Sequence, residues 1–294
     1  MLAQYTVGIL RPTTAFLPEL RAIHDFLSNL PKVRVRYVRS MRELNSARIG
    51  IVPLGWAHPL MPLPQFSIGL YSSGSLGKLR GIRDAAKRRL NSRFDYFLYQ
   101  NEYVQRTFES RKQSFGFLPM GYFPNLVQAR QLPEFDIIYS GTVRRHGLSR
   151  VLNRLSHEGL RVCVAGTDWT PEFSRSIDFA GQVSIEEVYR LYSKAEFGLN
   201  YVPPVEPYSQ QASTKCIEYF AAGLKVVSTR YEWVDQFLKT RGGSVFYLEK
   251  GVNRKLIQDH DYSLPTIHDL AWPGLVDRSG LVERMEKYLG ETLV

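Results

Sequence analysis

Two hydrophobic periods take turns along this chain. Apolar runs that alternate or are nearly continuous occur at YTVGIL (5–10), KVRVRYV (32–38), ARIGIVPL (47–54), FSIGLYS (66–72) and DYFLYQ (95–100), and they predict strands. Between them, Leu17, Leu20, Ile23 and Leu27 recur at helical spacing and predict a helix over 15–30, with further helices near 78–91 and 101–111. Strands alternating with helices predict a parallel sheet covered on both faces.

The segment SFGFLPMGYFPNLVQARQLPEF (114–135) interrupts this rhythm with three prolines, two glycines and no regular period. It is read as an interdomain linker. The alternation then restarts, with strands predicted at 136–140, 161–165, 178–180, 197–202, 225–230 and 244–249. Helices are predicted near 147–158, 184–194, 213–222 and 231–239. The tail from 276, with Leu281, Met285, Tyr288 and Leu289 on one face, predicts a last helix. The expected organisation is therefore a domain at 1–122, a second at 123–275, and a C-terminal helix at 276–294 returning toward the first. A length of 294 residues suits two domains of about 100–200 residues each. Both are expected to be α/β, with ligands bound in a cleft at the carboxyl ends of the two sheets.

Composition changes little in that picture, but charge does. Apolar residues make up 44% of the chain and aromatics 13%, enough for two packed cores. The start, MLAQYTVGIL, lacks a basic leader, and no stretch approaches the ~18 apolar residues of a membrane span. Cys163 and Cys216 lie in predicted core elements, outside any metal-ligand spacing, as reduced thiols in the cytosol would. The net charge of +10 is lopsided: residues 1–124 carry eighteen basic and seven acidic side chains, whereas 125–294 carry twenty and twenty-one. A polyanionic partner is expected at the N-terminal half, either an anionic membrane surface or nucleic acid.

Several chemistries lack their usual signals: there is no GxGxxG after a first strand, no P-loop, no HExxH and no GxSxG. Asp259-His260-Asp261 has a metal-binding form, but it stands in a predicted loop rather than at a strand end and is read as solvated. No metal site is assigned. YSGTVRRHGLSR (139–150) is more informative, because a strand runs through a glycine turn into a loop with two arginines before a helix. Glycine lets the backbone approach a bound group, and cations beside a helix start suit an anion. An ordinary turn with solvated arginines is the alternative.

In ASTKCIEYFAAGLKVVS (212–228), Ser213 and Thr214 place hydroxyls and free N–H groups at the positive end of a helix, and Lys215 adds a full charge. Glu218 follows on the same side, about one turn or 5 Å along. This spacing suits a phosphate at the helix start and a sugar diol beside the carboxylate. An N-cap with an intrahelical Lys–Glu pair is the structural alternative.

The linker, the GTVRRHG loop, FAGQVSIEEVYRLYSKAEFGLNYVP (179–203), STKCIEYFAAGLKVVST and Trp272 together resemble, in order, the donor-binding domain of GT-B fold glycosyltransferases. The resemblance covers about residues 125–275. It implies two Rossmann-like domains, a nucleoside-diphosphate sugar as donor with UDP as the expected nucleotide, and no further cofactor or metal. It implies that Glu218 binds the ribose. It also implies that Ser213, Thr214 and Lys215 hold the diphosphate, helped by Gly141, Thr142, Arg144 or Arg145, that Val183 lines the base, and that Tyr208, Ser209 and Gln210 border the sugar. Retaining relatives carry a second glutamate where Gln210 stands, so stereochemistry stays open.

An inverting transferase also needs a base in the N-terminal half. His58, in LGWAHPLMPLP, is the first candidate and Asp84 the next. The run KLRGIRDAAKRRLNSR (78–93) carries Lys78, Arg80, Arg83, Lys87, Arg88 and Arg89, with Leu79, Ile82, Ala86 and Leu90 expected on its buried side. Such a helix suits a lipid-linked surface glycan at the inner face of the membrane, with DNA as the alternative acceptor and a plain solvated helix face as the structural alternative to both. A non-catalytic nucleotide-binding or scaffold protein of the same fold is a further alternative.

Overall fold

The computed structural model describes residues 4–11, 16–55, 62–109, 113–167, 172–203 and 205–293. The chain divides into two compact units, Met1–Met120 with Asp269–Val294, and Gly121–His268. The first boundary lies two residues before the expected 122, and the return to the first unit begins at 269 rather than 276. Trp272 accordingly belongs to the first unit, where it is buried at the start of the helix Trp272–Arg278, which packs on the helix Pro18–Ser28.

In the first unit, β1 (Tyr5–Leu10), β2 (Val33–Val38), β3 (Ile49–Pro53), β4 (Phe66–Tyr71), β5 (Tyr96–Tyr99) and β6 (Ser114–Phe117) form one sheet in the order β2-β1-β3-β4-β5-β6. Every pairing is parallel. Its central strands are buried on both faces, with Val7, Ile9, Ile51, Ile68 and Leu98 almost fully enclosed. That is why they read as continuous apolar runs.

Strand β6 corrects the sequence reading, which placed 114–117 in a linker. It is a short edge strand containing a glycine, and it leaves no periodic trace. Its reason is tertiary. A β-carbon on Gly116 would lie 2.0 Å from the Ser279 carbonyl oxygen and 2.3 Å from the Tyr96 hydroxyl. The Tyr96 hydroxyl donates to that same carbonyl at 2.8 Å.

The helix Arg80–Leu90 is a second correction. Leu79, Ile82, Ala86 and Leu90 face solvent, and Asp84 turns inward. The inner side is occupied by polar groups that need partners. The Asp84 carboxylate accepts from Ser75 N–H at 3.0 Å, and buried Asn91 donates to the Tyr71 hydroxyl at 2.8 Å. Tyr71 in turn stacks on Phe108, with ring centres 4.1 Å apart.

The second unit pairs β7 (Phe135–Ser140), β8 (Val162–Ala165), β9 (Asp178–Gly181), β10 (Ala195–Asn200), β11 (Lys225–Ser228) and β12 (Phe246–Tyr247) in the order β12-β11-β10-β7-β8-β9, all parallel. Each unit is thus a Rossmann-like parallel sheet, as the alternation of elements predicts. Strand β12 is shorter than the expected 244–249, because Ser244 forms an antiparallel bridge with Ser263 and Leu248–Lys250 turns away. The core gathers Ile137, Tyr139, Val162, Val164, Phe197 and Leu199 beneath the helix Leu148–His157. Buried Cys163 and Cys216 are both free, and burial pushes each thiol well up, Cys163 to about 12. No described helix is long and apolar enough to cross a membrane.

Candidate functional site

In the second sheet β7 and β10 are neighbours, although two strands, β8 and β9, lie between them in sequence. Strand order reverses between them, so the loops after their carboxyl ends diverge and leave a crevice. One loop is 141–147 and the other 201–213. Arg145 ties them by donating to the Tyr201 carbonyl at 2.9 Å, and the Tyr201 hydroxyl donates to the His146 carbonyl at 2.7 Å.

The helix Thr214–Ala221 starts at this crevice. Ser213 caps it, accepting from Cys216 N–H at 3.3 Å while its own hydroxyl donates to Asn200 Oδ1 at 2.7 Å. Asn200, fully buried, passes its amide hydrogens to Ser228 and Tyr231. Both capacities of the Ser213 hydroxyl are therefore used in fixing the helix start, which leaves Thr214, Lys215 and the first N–H groups for a ligand. Lys215 folds back against Gly141, whose backbone sits at φ +117°. Its ammonium lies 5.8 Å from the centre of the Tyr139 ring. Burial, with the nearby Arg145 charge, pushes the Lys215 pKa down to about 7.

Glu218, one turn along, is buried rather than open. It accepts from the Tyr192 hydroxyl at 3.1 Å. Tyr192 is 2.6 Å from Ser140 Oγ, and the Tyr219 hydroxyl accepts from Ser140 N–H at 3.1 Å. Burial pushes the carboxyl up to about 7, against the opposing pull of Tyr192 and Lys215. Tyr192, Tyr219, Ser140 and Asn200 were not singled out by the sequence reading. Their only trace is a tyrosine on the buried side of each of two helices.

Gly141, Arg145, Lys215 and Glu218 are thus brought together from segments distant in sequence. The exposed Thr142 and Arg144 stand on the same loop, with the Thr142 carbonyl accepting from the Tyr139 hydroxyl. Tyr208, Ser209 and Gln210 form a single helical turn in the β10 loop, and Gln210 donates to Glu232. Val183 follows β9, two strands from β7 in the sheet order, or roughly 10 Å at the usual strand spacing.

In the first unit His58 lies outside the described residues. Asp84 is committed to Ser75 and the docking of its helix. Lys78, Arg80, Arg83, Arg88 and Arg89 are exposed, but Lys87 is partly buried with its ammonium 6.0 Å from the Phe108 ring centre. The sequence reading also passed over Glu19. It is 1% exposed in the first turn of the helix after β1, and one oxygen accepts from the Ser72 hydroxyl at 2.6 Å. Its other oxygen has no partner among the described residues, and burial raises its pKa. An acidic residue on the apolar stripe of Leu20, Ile23 and Leu27 was the available signal. The Asp259 to Asp261 triplet ends the helix Arg254–Gln258, with the His260 ring edge-on to Phe246 and Tyr262. No group of three or more metal-ligating side chains gathers among the described residues.

Residues 144–262 match a family model described as glycosyl transferase-like. Among solved structures the chain is similar to AviGT4, a glycosyltransferase involved in avilamycin A biosynthesis, at 16% identity over 97% of this chain and 96% of that one, with a TM-score of 0.57. It is also similar to α,α-trehalose 6-phosphate synthase from Burkholderia multivorans, at 9% identity over 98% and 99%, TM-score 0.62. A UDP-N-acetylglucosamine 2-epimerase from Rickettsia bellii matches at 11% identity over 98% and 97%, TM-score 0.59. No curated protein sequence matches. At these identities the likeness is one of fold: the chain has the GT-B type of architecture, and its second unit carries the glycosyl transferase-like segment. Because an epimerase shares the fold, the reaction has to be argued from the site.

Proposed function

We propose that the protein is a glycosyltransferase that moves a sugar from a nucleoside-diphosphate donor, UDP-linked, to an acceptor bound by the basic first unit. The observation that carries this reading is the meeting of Lys215, the start of its helix and the Gly141 loop at the switch point of the second sheet. Cation, helix end and closely approaching backbone are the parts that bind a diphosphate. The family match over 144–262 favours transfer over epimerisation.

In this reading the acceptor hydroxyl attacks the anomeric carbon, the bond from that carbon to the diphosphate oxygen breaks, and the diphosphate leaves as an anion. Lys215, Arg145 or Arg144, Thr214 and the helix dipole meet its charge, so no metal is needed. Glu218 serves the ribose, Val183 the base, and Tyr208 to Gln210 the sugar. The hydroxyl proton passes to a base in the first unit, for which His58 is the candidate, because Asp84 is turned inward onto Ser75. The net positive first unit favours a lipid-linked glycan over a neutral acceptor, with the enzyme working in the cytosol at the inner membrane face.

The test is a thermal-shift screen of UDP-, GDP-, ADP- and CMP-linked sugars on the wild type and on Lys215→Ala. One nucleotide class should raise the Tm of the wild type and leave the variant unmoved. If no nucleotide-sugar moves the wild type, the transferase reading is overturned.

A further inference from the structure

The helix Arg80–Leu90 is amphipathic the wrong way round for a helix that belongs to a core. Its outward side carries Leu79 at 58% exposure and Ile82 at 70%, with Leu76 and Leu90 also open to solvent. Ala86 lies on the same exposed side. Cations flank this stripe: Lys78, Arg83, Arg88 and Arg89 are all exposed. The single carboxylate of the segment, Asp84, is turned inward onto Ser75 and leaves the outer face without a negative charge. The inner face is held by Asp84, Asn91 and the Tyr71 to Phe108 stack, while Leu79 and Ile82 are left mostly open to solvent.

A solvated helix has no use for leucine and isoleucine on its outermost ridge. A nucleic-acid duplex would use the cations but offers nothing for the leucines to enter. A second copy of this face would bring two cationic rims together. An anionic bilayer satisfies both, because acyl chains receive the apolar ridge while the headgroups meet the arginines and lysines around it.

We propose that Arg80–Leu90, with the preceding Leu76 to Leu79 turn, is an interfacial element that seats the first unit on an anionic lipid surface. This deepens the transferase reading, on which its use in reaching a lipid-linked acceptor rests, while the binding itself needs no donor.

The test is co-sedimentation of the full chain with phosphatidylcholine vesicles containing or lacking phosphatidylglycerol, at low and high salt. Wild type should pellet with anionic vesicles, less so at high salt, and remain in solution with neutral ones. Leu79→Glu with Ile82→Glu should cut binding by about tenfold or more, as should replacing Lys78, Arg88 and Arg89 by Gln. All these positions are exposed, and an unchanged far-UV spectrum and Tm confirm folding. No anionic-vesicle binding, or wild-type binding by Leu79→Glu with Ile82→Glu, overturns the proposal. So does duplex DNA binding that is tighter than vesicle binding and insensitive to that variant. The two readings fail separately. Lost vesicle binding with an intact nucleotide-sugar thermal shift sinks only the docking face, and vesicle binding without any such shift sinks only the transferase.

Discussion

A β-carbon placed on Gly141 would lie 2.3 Å from Lys215 Cε and 2.8 Å from its Nζ. The lysine of one helix is thus laid on the backbone of a loop 74 positions earlier in the sequence.

Gly141→Ala tests that contact. The new methyl must displace the lysine and adopt a φ of +117°, which costs about 1–2 kcal/mol of stability. Chemical denaturation should show that loss, and titration with a nucleoside diphosphate should show affinity reduced by about tenfold or more, because the ammonium has moved.

Lys215 gives the donor site a pH dependence with a definite sign. Its pKa is pushed down to about 7 in the free protein, and a diphosphate binds the protonated form. Affinity should be full below about pH 7 and fall as pH rises beyond it, by up to about tenfold per unit. Calorimetry in buffers of different ionisation enthalpy should detect proton uptake on binding at pH 8. Lys215→Ala should show weak binding without the fall in affinity above pH 7 that the lysine gives.

The same pair shapes stability without ligand. Glu218 is raised from 4.5 to about 7, so its contribution is present below pH 4.5 and lost as pH climbs to 7. Lys215 is lowered from 10.5 to about 7, so its contribution is present above pH 10.5 and lost as pH falls to 7. Together they place a local minimum near pH 7. Denaturant melts of the wild type and of Lys215→Met with Glu218→Gln should differ most there, with the double variant flatter.

Tyr192→Phe removes the hydroxyl donated to Glu218 and leaves a buried carboxyl without its partner. Destabilisation of about 1–3 kcal/mol is expected. The Glu218 pKa should rise further, so that the loss is greater at pH 8 than at pH 5. Equal losses at both would detach Tyr192 from Glu218.

Asp84 and His58 should separate by readout. Asp84→Ala strips the Ser75 N–H of its acceptor and loosens a helix, so Tm should fall, equivalent to about 1–3 kcal/mol. His58→Ala should leave Tm in place and lower kcat by about 100-fold or more if it takes the acceptor proton. Turnover unchanged by a chelator would agree with charge neutralisation by Lys215 and the helix end alone.

The sequence by itself determined the two sheets, because buried parallel strands must be apolar and the helices between them must show one apolar face. It also pointed to Gly141, Arg144 or Arg145, Ser213, Thr214, Lys215 and Glu218, whose residue types and local spacing are those of an anion site at a helix start. It did not reveal β6, whose glycine answers to a carbonyl at position 279, or that the Ser213 hydroxyl donates to Asn200 and one Glu218 oxygen accepts from Tyr192. Those partners lie 13 and 26 positions away, and no local period records them. Nor did it give the direction faced by Leu79 and Ile82. Periodicity shows that a helix has two sides, but which side turns inward was decided by Asp84, Asn91 and Tyr71, whose buried polar atoms had to find partners.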